Sequence, residues 1–431
     1  MNSKKGKEAT LMSFWEEIFS VGVQEMVSRL TDEEAKELTE RYGAHNYHPL
    51  PVNIVRARGV YAYDGKGKEY IDCIGSYSAV SHGHLSEFIV SSVMKQLEKV
   101  TLVSRALYTS ELALFLKTIC EYCDMDMCCP MNTGVEAIET CIKLARKWAY
   151  TVKGVKEDRA EIIVAEGNFH GRTTTVIGFS TEPQYRYGFG PFTPGFKIVP
   201  FGDAEAIEKA INENTAAVLL EPIQAEAGII IPPEGYMEKV RNLCSKNNVL
   251  LIWDEVQTGL CRTGKKFAWM YENAKPDLMA VGKALGGGIL PISAALGKKE
   301  IMEVFKPGDH GSTFGGNPLA CAVAIAGMAE LEVSNAAEKS ARLGNRLLQG
   351  FRKIRSDSIE DVRGKGLLIG LQVKERVDTE LLVQQFIQEG ILTKETRQRT
   401  FRFAPPFVVN DVIVDEIVAR VERALKKIGE G

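Results

Sequence analysis

The strongest constraint on this chain is an alternation of short, unbroken apolar runs with amphipathic helical stretches, which begins near residue 130. Unbroken apolar strands are typical of a parallel sheet covered on both faces, because a helix crosses over between successive strands. The candidate strands are EIIVAEG (161–167), FKIVPFG (196–202), AAVLLEPIQ (216–224), VLLIWDEV (249–256), LMAVGKAL (278–285) and ISAALGK (292–298). The pattern predicts an α/β fold around a mostly parallel sheet.

The length of the chain indicates more than one domain. Its 431 residues exceed the roughly 250–300 residues that one hydrophobic core usually supports. After about residue 320 the chain looks helical, then carries the strand-like GLLIGLQV and a last helix at 410–428. We expect a large domain at 61–318, and a smaller α+β domain that combines residues 1–60 with residues 319–431.

Composition gives no sign of a nucleic-acid or membrane partner. Apolar residues make up 45% of the chain and charged residues 25%, with a net charge of −3 and no basic cluster. No segment approaches the ~18 consecutive apolar residues of a membrane span. The N-terminal apolar run is short, and Glu8, Glu16 and Glu17 argue against a signal or transit peptide. We expect a cytoplasmic protein.

The nine cysteines favour free thiols over a disulfide framework or a metal site. Cys120 with Cys123, and Cys128 with Cys129, are close enough in sequence to suggest zinc. No second pair at zinc-finger spacing follows them, and no histidine is nearby. We therefore expect buried thiols in a reducing compartment, and no metal.

Chemically active side chains gather just after several of the predicted strands. In open α/β sheets, ligands bind at the carboxyl ends of the strands. The residues at these ends are Phe169, His170 and Arg172; Glu221, Gln224 and Glu226; Asp254 and Glu255; and Lys283. Any one of them could be a solvated strand end, but their convergence on one edge indicates a functional site.

Lys283 is the residue that raises the sharpest question, because it directly follows an apolar strand. Burial would favour its neutral amine, which can form a Schiff base with an aldehyde. On this stretch alone, a lysine that extends to solvent is an equal alternative. Asp254 ends the preceding strand and would suit the protonated nitrogen of a pyridine ring, although it could also be a helix cap or a surface acid.

Two further stretches could bind a phosphate group. A helix is predicted to start near Gly134, where Asn132 and Thr133 can cap it, and helix N-termini attract anions. Many helices begin in this way, so the signal is weak by itself. Ser312 and Thr313 lie in the glycine-rich HGSTFGGNP (310–318), which is either a phosphate loop or an ordinary loop before a helix.

Taken together, the motifs resemble those of the class III, fold-type I, pyridoxal-phosphate-dependent aminotransferases. They run from residue 42 to residue 406 as YGAHNYHPLPV, GSYSAV, MNTGVEA, GNFHGRT, EPIQAEAG, DEVQTGLCRTG, GKALGGG, HGSTFGGNPLA, VRGKGLL and RFAPP. The resemblance implies a seven-stranded, mostly parallel sheet in the large domain and a small α+β domain built from both chain ends. It also implies pyridoxal 5′-phosphate as cofactor and a homodimer that shares its active sites.

The resemblance assigns the cofactor contacts residue by residue. Lys283 would hold the cofactor as a Schiff base and then act as the base, and Asp254 would pair with the ring nitrogen. The remaining contacts would be Gln257 on the phenolic oxygen, Phe169 on the ring face with His170 beside it, Gly134 and Val135 on the phosphate, and Thr313 with Ser312 on the phosphate of the partner subunit.

The resemblance also implies the substrates, namely ornithine, whose δ-amino group would pass to 2-oxoglutarate. Arg172 would bind a substrate carboxylate, and Arg402 the α-carboxylate of 2-oxoglutarate. Glu226 would pair with Arg402 while ornithine is bound. Tyr47 would orient the α-amino group of ornithine, and Tyr77 would border the substrate cavity.

Other functions stay open at this stage. The amine donor could be acetylornithine, lysine or 4-aminobutyrate, or the chain could be an amino-acid racemase or a binding protein without activity. Retention of Glu226 with Arg402 argues against a racemase. Ile138, Ala225 and Arg397 depart from the family pattern, and Arg397 could favour a more acidic or longer substrate.

Overall fold

The computed structural model of the protein describes residues 14–429. Within that range the chain divides into two compact units. The first consists of the residues up to Ala57 together with Ala62–Glu69, and the second of Arg58–Tyr61 together with the chain from Tyr70 onward. The predicted domain boundaries at residues 60 and 318 stay a prediction.

The N-terminal region is helical before its first strand. Helices occupy residues 14–21, Val23–Ser28 and Asp32–Tyr42. The last of these begins at Thr31, whose hydroxyl accepts a hydrogen bond from the Glu34 N–H while the Glu34 carboxylate accepts one from the Thr31 N–H. Strands β1 (Ile54–Arg58), β2 (Tyr61–Asp64) and β3 (Glu69–Asp72) follow along the chain.

The second unit contains a seven-stranded sheet in the order β4-β10-β9-β8-β7-β5-β6. The bounds are β4 (Met127–Met131), β5 (Glu161–Ala165), β6 (Phe196–Val199), β7 (Thr215–Leu220), β8 (Leu250–Asp254), β9 (Leu278–Val281) and β10 (Ser293–Gly297). Strands β9, β8, β7, β5 and β6 are parallel, whereas β10 runs antiparallel to both of its neighbours. The predicted mostly parallel sheet is confirmed.

All six apolar runs form strands, but no sequence pattern predicted β4. Its sequence, MCCPM, contains Pro130, which cannot donate a ladder hydrogen bond and argues against a strand. The sheet accommodates this proline because β4 lies at one edge. Only the register with β10 identifies this segment as the seventh strand.

This unit also contains helices between and after its strands. They span Gly75–Ser78, Glu87–Leu97, Ser110–Cys123, Gly134–Trp148, Thr174–Gly178, Pro183–Arg186, Ala204–Ala210, Tyr236–Lys246, Lys299–Met302, Pro318–Val333, Ala336–Lys353, Thr379–Gln388 and Asp411–Gly429. Every residue of β7, β8, β9 and β10 is buried, as expected for a sheet covered on both faces. All nine cysteines are free.

The C-terminal part adds a second sheet of four strands. It has the order β11-β12-β15-β14, with β11 (Ile359–Lys365), β12 (Leu368–Val373), β14 (Lys394–Glu395) and β15 (Thr400–Phe403). Strand β13 (Ile391–Leu392) instead pairs in parallel with the end of β3, through Ile391 and Ile71. The β14–β15 hairpin carries Arg397 in its turn and Arg402 in its second strand.

In residues 14–429, no single helix is long and apolar enough to cross a membrane. The consecutive helices Pro318–Val333 and Ala336–Lys353 have the length and hydropathy of a membrane span only when they are taken together, and they meet at a bend of 64°.

Candidate active site

The carboxyl ends of the parallel strands surround a cavity of about 290 Å³. Strand β8 ends at Asp254, Lys283 follows β9, and Glu221 follows β7. The cavity is lined by Gly134, Val135, Phe169, His170, Gly171, Arg172, Glu221, Ile223, Asp254, Val256, Gln257, Thr258 and Lys283. The structure thus brings together eight of the residues predicted from sequence: Gly134, Val135, Phe169, His170, Arg172, Asp254, Gln257 and Lys283.

Lys283 begins a short 3-10 turn, Lys283–Gly286, which only Gly282 separates from β9. Its backbone has a φ of +44°, a conformation that L-residues rarely adopt and that is often found at functional sites. Its Nζ donates a hydrogen bond to Oε1 of Gln257 at 2.8 Å. Burial, opposed by the charge of Glu226, lowers the pKa of Lys283 to about 8, so the neutral amine is accessible near neutral pH.

Asp254 is held in place by two hydrogen bonds. Its Oδ2 lies 2.7 Å from Nδ1 of His170, and its Oδ1 accepts a bond from the Val256 N–H at 3.0 Å. Burial would lower the pKa of His170, but the hydrogen bond and charge of Asp254 raise it above its usual value. The pair therefore presents a fixed carboxylate at the floor of the cavity.

The helix Gly134–Trp148 points its N-terminus at the same cavity. Thr133 and Glu136 form a capping box, in which the Thr133 hydroxyl accepts from the Glu136 N–H and the Glu136 carboxylate accepts from the Thr133 N–H. This box leaves the N–H groups of Gly134 and Val135 without an acceptor inside the helix. These are the two residues that the sequence predicted as phosphate contacts.

A cluster of arginine and acidic side chains lies near Lys283. Arg402, on β15, is ion-paired with Glu226 and lies 5.0 Å from the centre of the Tyr77 ring. Burial would raise the pKa of Glu226, but the charges of Arg402 and Lys283 hold it below its usual value, so Glu226 is an anion. Arg172 lines the cavity itself, with its guanidinium 3.6 Å from the centre of the Tyr185 ring.

Six predicted residues are not among those that line the cavity wall. Glu226, Arg402 and Tyr77 belong to the cluster just described, and the other three are Ser312, Thr313 and Tyr47. Ser312 accepts hydrogen bonds from the Asn132 side chain at 3.0 Å and from the Gly315 N–H at 2.9 Å. Thr313 is exposed. Tyr47 belongs to the first compact unit, where its side chain is 68% exposed. Their roles as phosphate and ornithine contacts stay predictions.

Three strand-end residues, Glu221, Gln224 and Glu255, had no predicted role, and of these Glu221 lies in the cavity wall. It is 8% exposed, lines the cavity and accepts a hydrogen bond from the Phe169 N–H at 3.0 Å. Burial raises its pKa to about 7, and the nearby negative charge of Asp254 adds to this effect. Its position directly after an apolar strand, like that of Asp254, was a signal that could have identified it.

Comparison with known proteins identifies the family of the chain. A family description, "Aminotransferase class-III", matches residues 42–425. The chain belongs to the class III aminotransferases. Members of this family depend on pyridoxal phosphate.

Among the relatives of this class III aminotransferase, the ornithine aminotransferase of Brevibacillus brevis is 50% identical over 389 residues, which cover 90% of this chain and 97% of that protein. The ornithine aminotransferase of Oceanobacillus iheyensis is 51% identical over 389 residues, which again cover 90% of this chain and 97% of that protein.

Solved structures agree with the family and the fold. The ornithine aminotransferase of Toxoplasma gondii ME49 superposes with a TM-score of 0.92 at 38% identity, over 94% of this chain and 98% of that one. The acetylornithine aminotransferase of Elizabethkingia anophelis superposes with a TM-score of 0.85 at 41% identity, over 92% of this chain and 100% of that one. The fold-type I architecture implied by the sequence motifs is confirmed.

Proposed function

We propose that this aminotransferase moves the δ-amino group of ornithine to 2-oxoglutarate, with pyridoxal phosphate as its cofactor. The names of the relatives that are about half identical support ornithine as the donor. The observation that carries the proposal is the Glu226–Arg402 ion pair beside Lys283. A site that must accept a terminal amine and then an α-amino acid needs a carboxylate anchor that can be masked in one half-reaction.

The side chains around the cavity fit pyridoxal phosphate. Nε2 of Gln257 is buried without a hydrogen-bond partner among the described residues, which suits the phenolic oxygen of the cofactor. The N–H groups of Gly134 and Val135 suit the phosphate. A Cβ atom on Gly134 would come within 2.7 Å of Cγ1 of Val256, so glycine permits the close packing of the helix start. A Toxoplasma gondii ornithine aminotransferase structure is described with partial occupancy of this cofactor at its active site.

Bound pyridoxal phosphate supplies a carbon that receives and releases the amino group, and a ring that takes up electron density. Asp254, fixed by His170, would keep a proton on the ring nitrogen. Phe169 would pack on the ring face. The neutral Nζ of Lys283 would take the proton from the substrate carbon and return it, as a general base with a pKa near the working pH must do.

The substrate groups would be sorted by the arginines. Arg172 would bind the carboxylate far from the reacting amine, through the two parallel hydrogen bonds that a guanidinium offers. Glu226 would mask Arg402 while ornithine is bound and release it for the α-carboxylate of 2-oxoglutarate. Tyr77 would border this part of the cavity, and Tyr47 would orient the α-amino group of ornithine.

We also propose a homodimer in which Ser312 and Thr313 reach the phosphate site of the partner. The exposure of Thr313 and its glycine-rich surroundings support this assignment. It makes each active site depend on two chains.

The test is a panel of amine donors with 2-oxoglutarate. Ornithine should give a product that o-aminobenzaldehyde traps, and it should turn over faster than lysine, acetylornithine or 4-aminobutyrate. The purified protein should absorb in the visible range, and Lys283→Ala should lose that absorbance. Lys298→Ala is the matched control, because Lys298 pairs with Asp277 at 2.6 Å outside the cavity. Faster turnover of another donor would refute the choice of ornithine.

A further inference from the structure

Arg397 occupies the turn of the β14–β15 hairpin, close to the Glu226–Arg402 pair. Its backbone N–H donates to the carbonyl oxygen of Glu226 at 3.3 Å. The next two residues, Gln398 and Arg399, both have a φ of +56°, so the turn has a specific and uncommon shape. The hairpin therefore fixes Arg397 relative to Arg402.

The side chain of Arg397 reaches the same tyrosine as Arg172. Its guanidinium carbon lies 5.0 Å from the centre of the Tyr185 ring, and that of Arg172 lies 3.6 Å from the same centre. Each contact is within cation–π distance. Two positive groups thus share one aromatic ring, and Arg172 lines the cavity. Like charges this close are stabilised when an anion lies between them or beside them.

The hydrogen-bonding capacity of Arg397 is largely unused. Its Nε lies 3.3 Å from Oε2 of Glu182, an ion-pair distance without hydrogen-bond geometry. Its Nη1 reaches the Gly167 carbonyl only at 3.4 Å. Within residues 14–429, the buried Nε and Nη2 atoms have no hydrogen-bond acceptor. Buried donors without partners are costly, so an acceptor from outside the chain that reached these two atoms would relieve that cost.

We propose that Arg397 is a further specificity-determining residue at the distal-carboxylate end of the substrate site, where it acts beside Arg172 and Tyr185, with Glu182 as the internal anion that the substrate carboxylate displaces. Arg402 takes the other carboxylate. The site selects dicarboxylic over monocarboxylic amino acceptors, because only the former can use the free donors of Arg397. This inference deepens the proposed function and rests on it.

Steady-state kinetics of the purified holoenzyme test the selectivity. Arg397→Gln should raise KM for 2-oxoglutarate about tenfold, the loss expected for one charge-assisted hydrogen bond, with kcat little changed. KM for pyruvate, which lacks the second carboxylate, should not move. KM of Arg397→Lys for 2-oxoglutarate should lie between the values of the wild type and Arg397→Gln, because lysine keeps the positive charge but lacks the planar guanidinium. An equal rise in KM for both acceptors would overturn the proposal.

Two further variants distinguish the loss of a carboxylate contact from general damage to the fold. Glu182→Gln removes the competing carboxylate, so it should lower KM for 2-oxoglutarate; an unchanged or higher value would contradict the displacement. Arg399→Gln is the matched control on the same turn, since its guanidinium donates to the Lys374 and Val377 carbonyls instead. It should leave both KM values as in the wild type.

Binding of glutarate to the holoenzyme, measured by calorimetry, separates this inference from the proposed function. Glutarate has two carboxylates but no oxo group, so its affinity does not depend on which amine the enzyme uses. Arg397→Gln should bind it about tenfold more weakly than the wild type. If ornithine proves not to be the donor while this loss is observed, the proposed donor fails and the carboxylate site stands. Equal affinities would overturn the site even if ornithine is the donor.

Discussion

Lys283 combines two energetically unfavourable features that a residue with a purely structural role would avoid. It is a lysine in a low-dielectric cavity, and its backbone is in a left-handed conformation. Burial lowers the pKa from the usual 10.5 to about 8. The folded state therefore binds this proton less tightly than the unfolded state, so the contribution of Lys283 to stability rises with pH between about 8 and 10.5.

This pKa predicts a pH dependence for cofactor uptake. The apoenzyme should take up pyridoxal phosphate faster as pH rises, and the rate should level off above about 8, because only the neutral amine reacts. Stopped-flow absorbance at a series of pH values measures this rate. A rate that keeps rising as far as pH 10 would show that Lys283 has an ordinary pKa.

Glu226 and Arg402 form an ion pair inside the protein. Arg402 is 4% exposed, and a buried charge without its partner is strongly destabilising. Glu226 supplies that partner in the structure. In the proposed function, a substrate carboxylate would take its place, so the pair would be a binding site that the protein itself occupies.

At the scale of elements, the helix Gly134–Trp148 does two jobs with its first turn. The capping box stabilises the helix, and the same geometry leaves the next two N–H groups free for an anion. Because Thr133 immediately precedes Gly134, loss of the cap should disturb the phosphate contact as well as the helix.

Thr133→Ala should lower the free energy of unfolding by about 1 kcal/mol, the usual value of an N-cap hydroxyl, and should also weaken cofactor binding. Denaturant unfolding and cofactor titration measure the two effects. Thr109→Ala is the matched control, because Thr109 caps the helix Ser110–Cys123 through the Leu112 N–H. It should lose similar stability but keep its affinity for the cofactor. A loss of affinity in both variants would point to a general effect of stability.

At the scale of the whole molecule, the central proposal is that each active site draws on two chains. Complementation between inactive variants tests it. Lys283→Ala and Thr313→Ala should each be impaired alone, whereas a co-expressed mixture should recover activity, because a mixed dimer contains one site with both native residues.

Activity of the mixture, compared with that of each variant alone, measures this recovery. No recovery would mean that Thr313 serves the site of its own chain. Size-exclusion chromatography of each variant checks that both still assemble.

Much of the fold followed from local pattern, and the exceptions have physical causes. The six apolar runs predicted β5 to β10 because a strand buried on both faces must be apolar along its whole length. Strand β4 was missed because its proline is tolerated only at a sheet edge, and edge position is a property of the sheet rather than of the segment. Glu221 had a strand-end position like that of Asp254, but its role depends on which carboxylates share the cavity.

The amino-acid sequence by itself determined the family and the mostly parallel sheet, and it singled out Lys283 as the candidate for the reactive lysine, because these depend on residue types at fixed spacings. Only the tertiary structure decided which charged groups meet. Arg397 and Tyr185 are far apart in sequence, and nothing local indicates that Arg397 and Arg172 lie over one ring. Electrostatic interactions act through space, so the carboxylate site becomes visible only when the hairpin and the sheet edge are folded together.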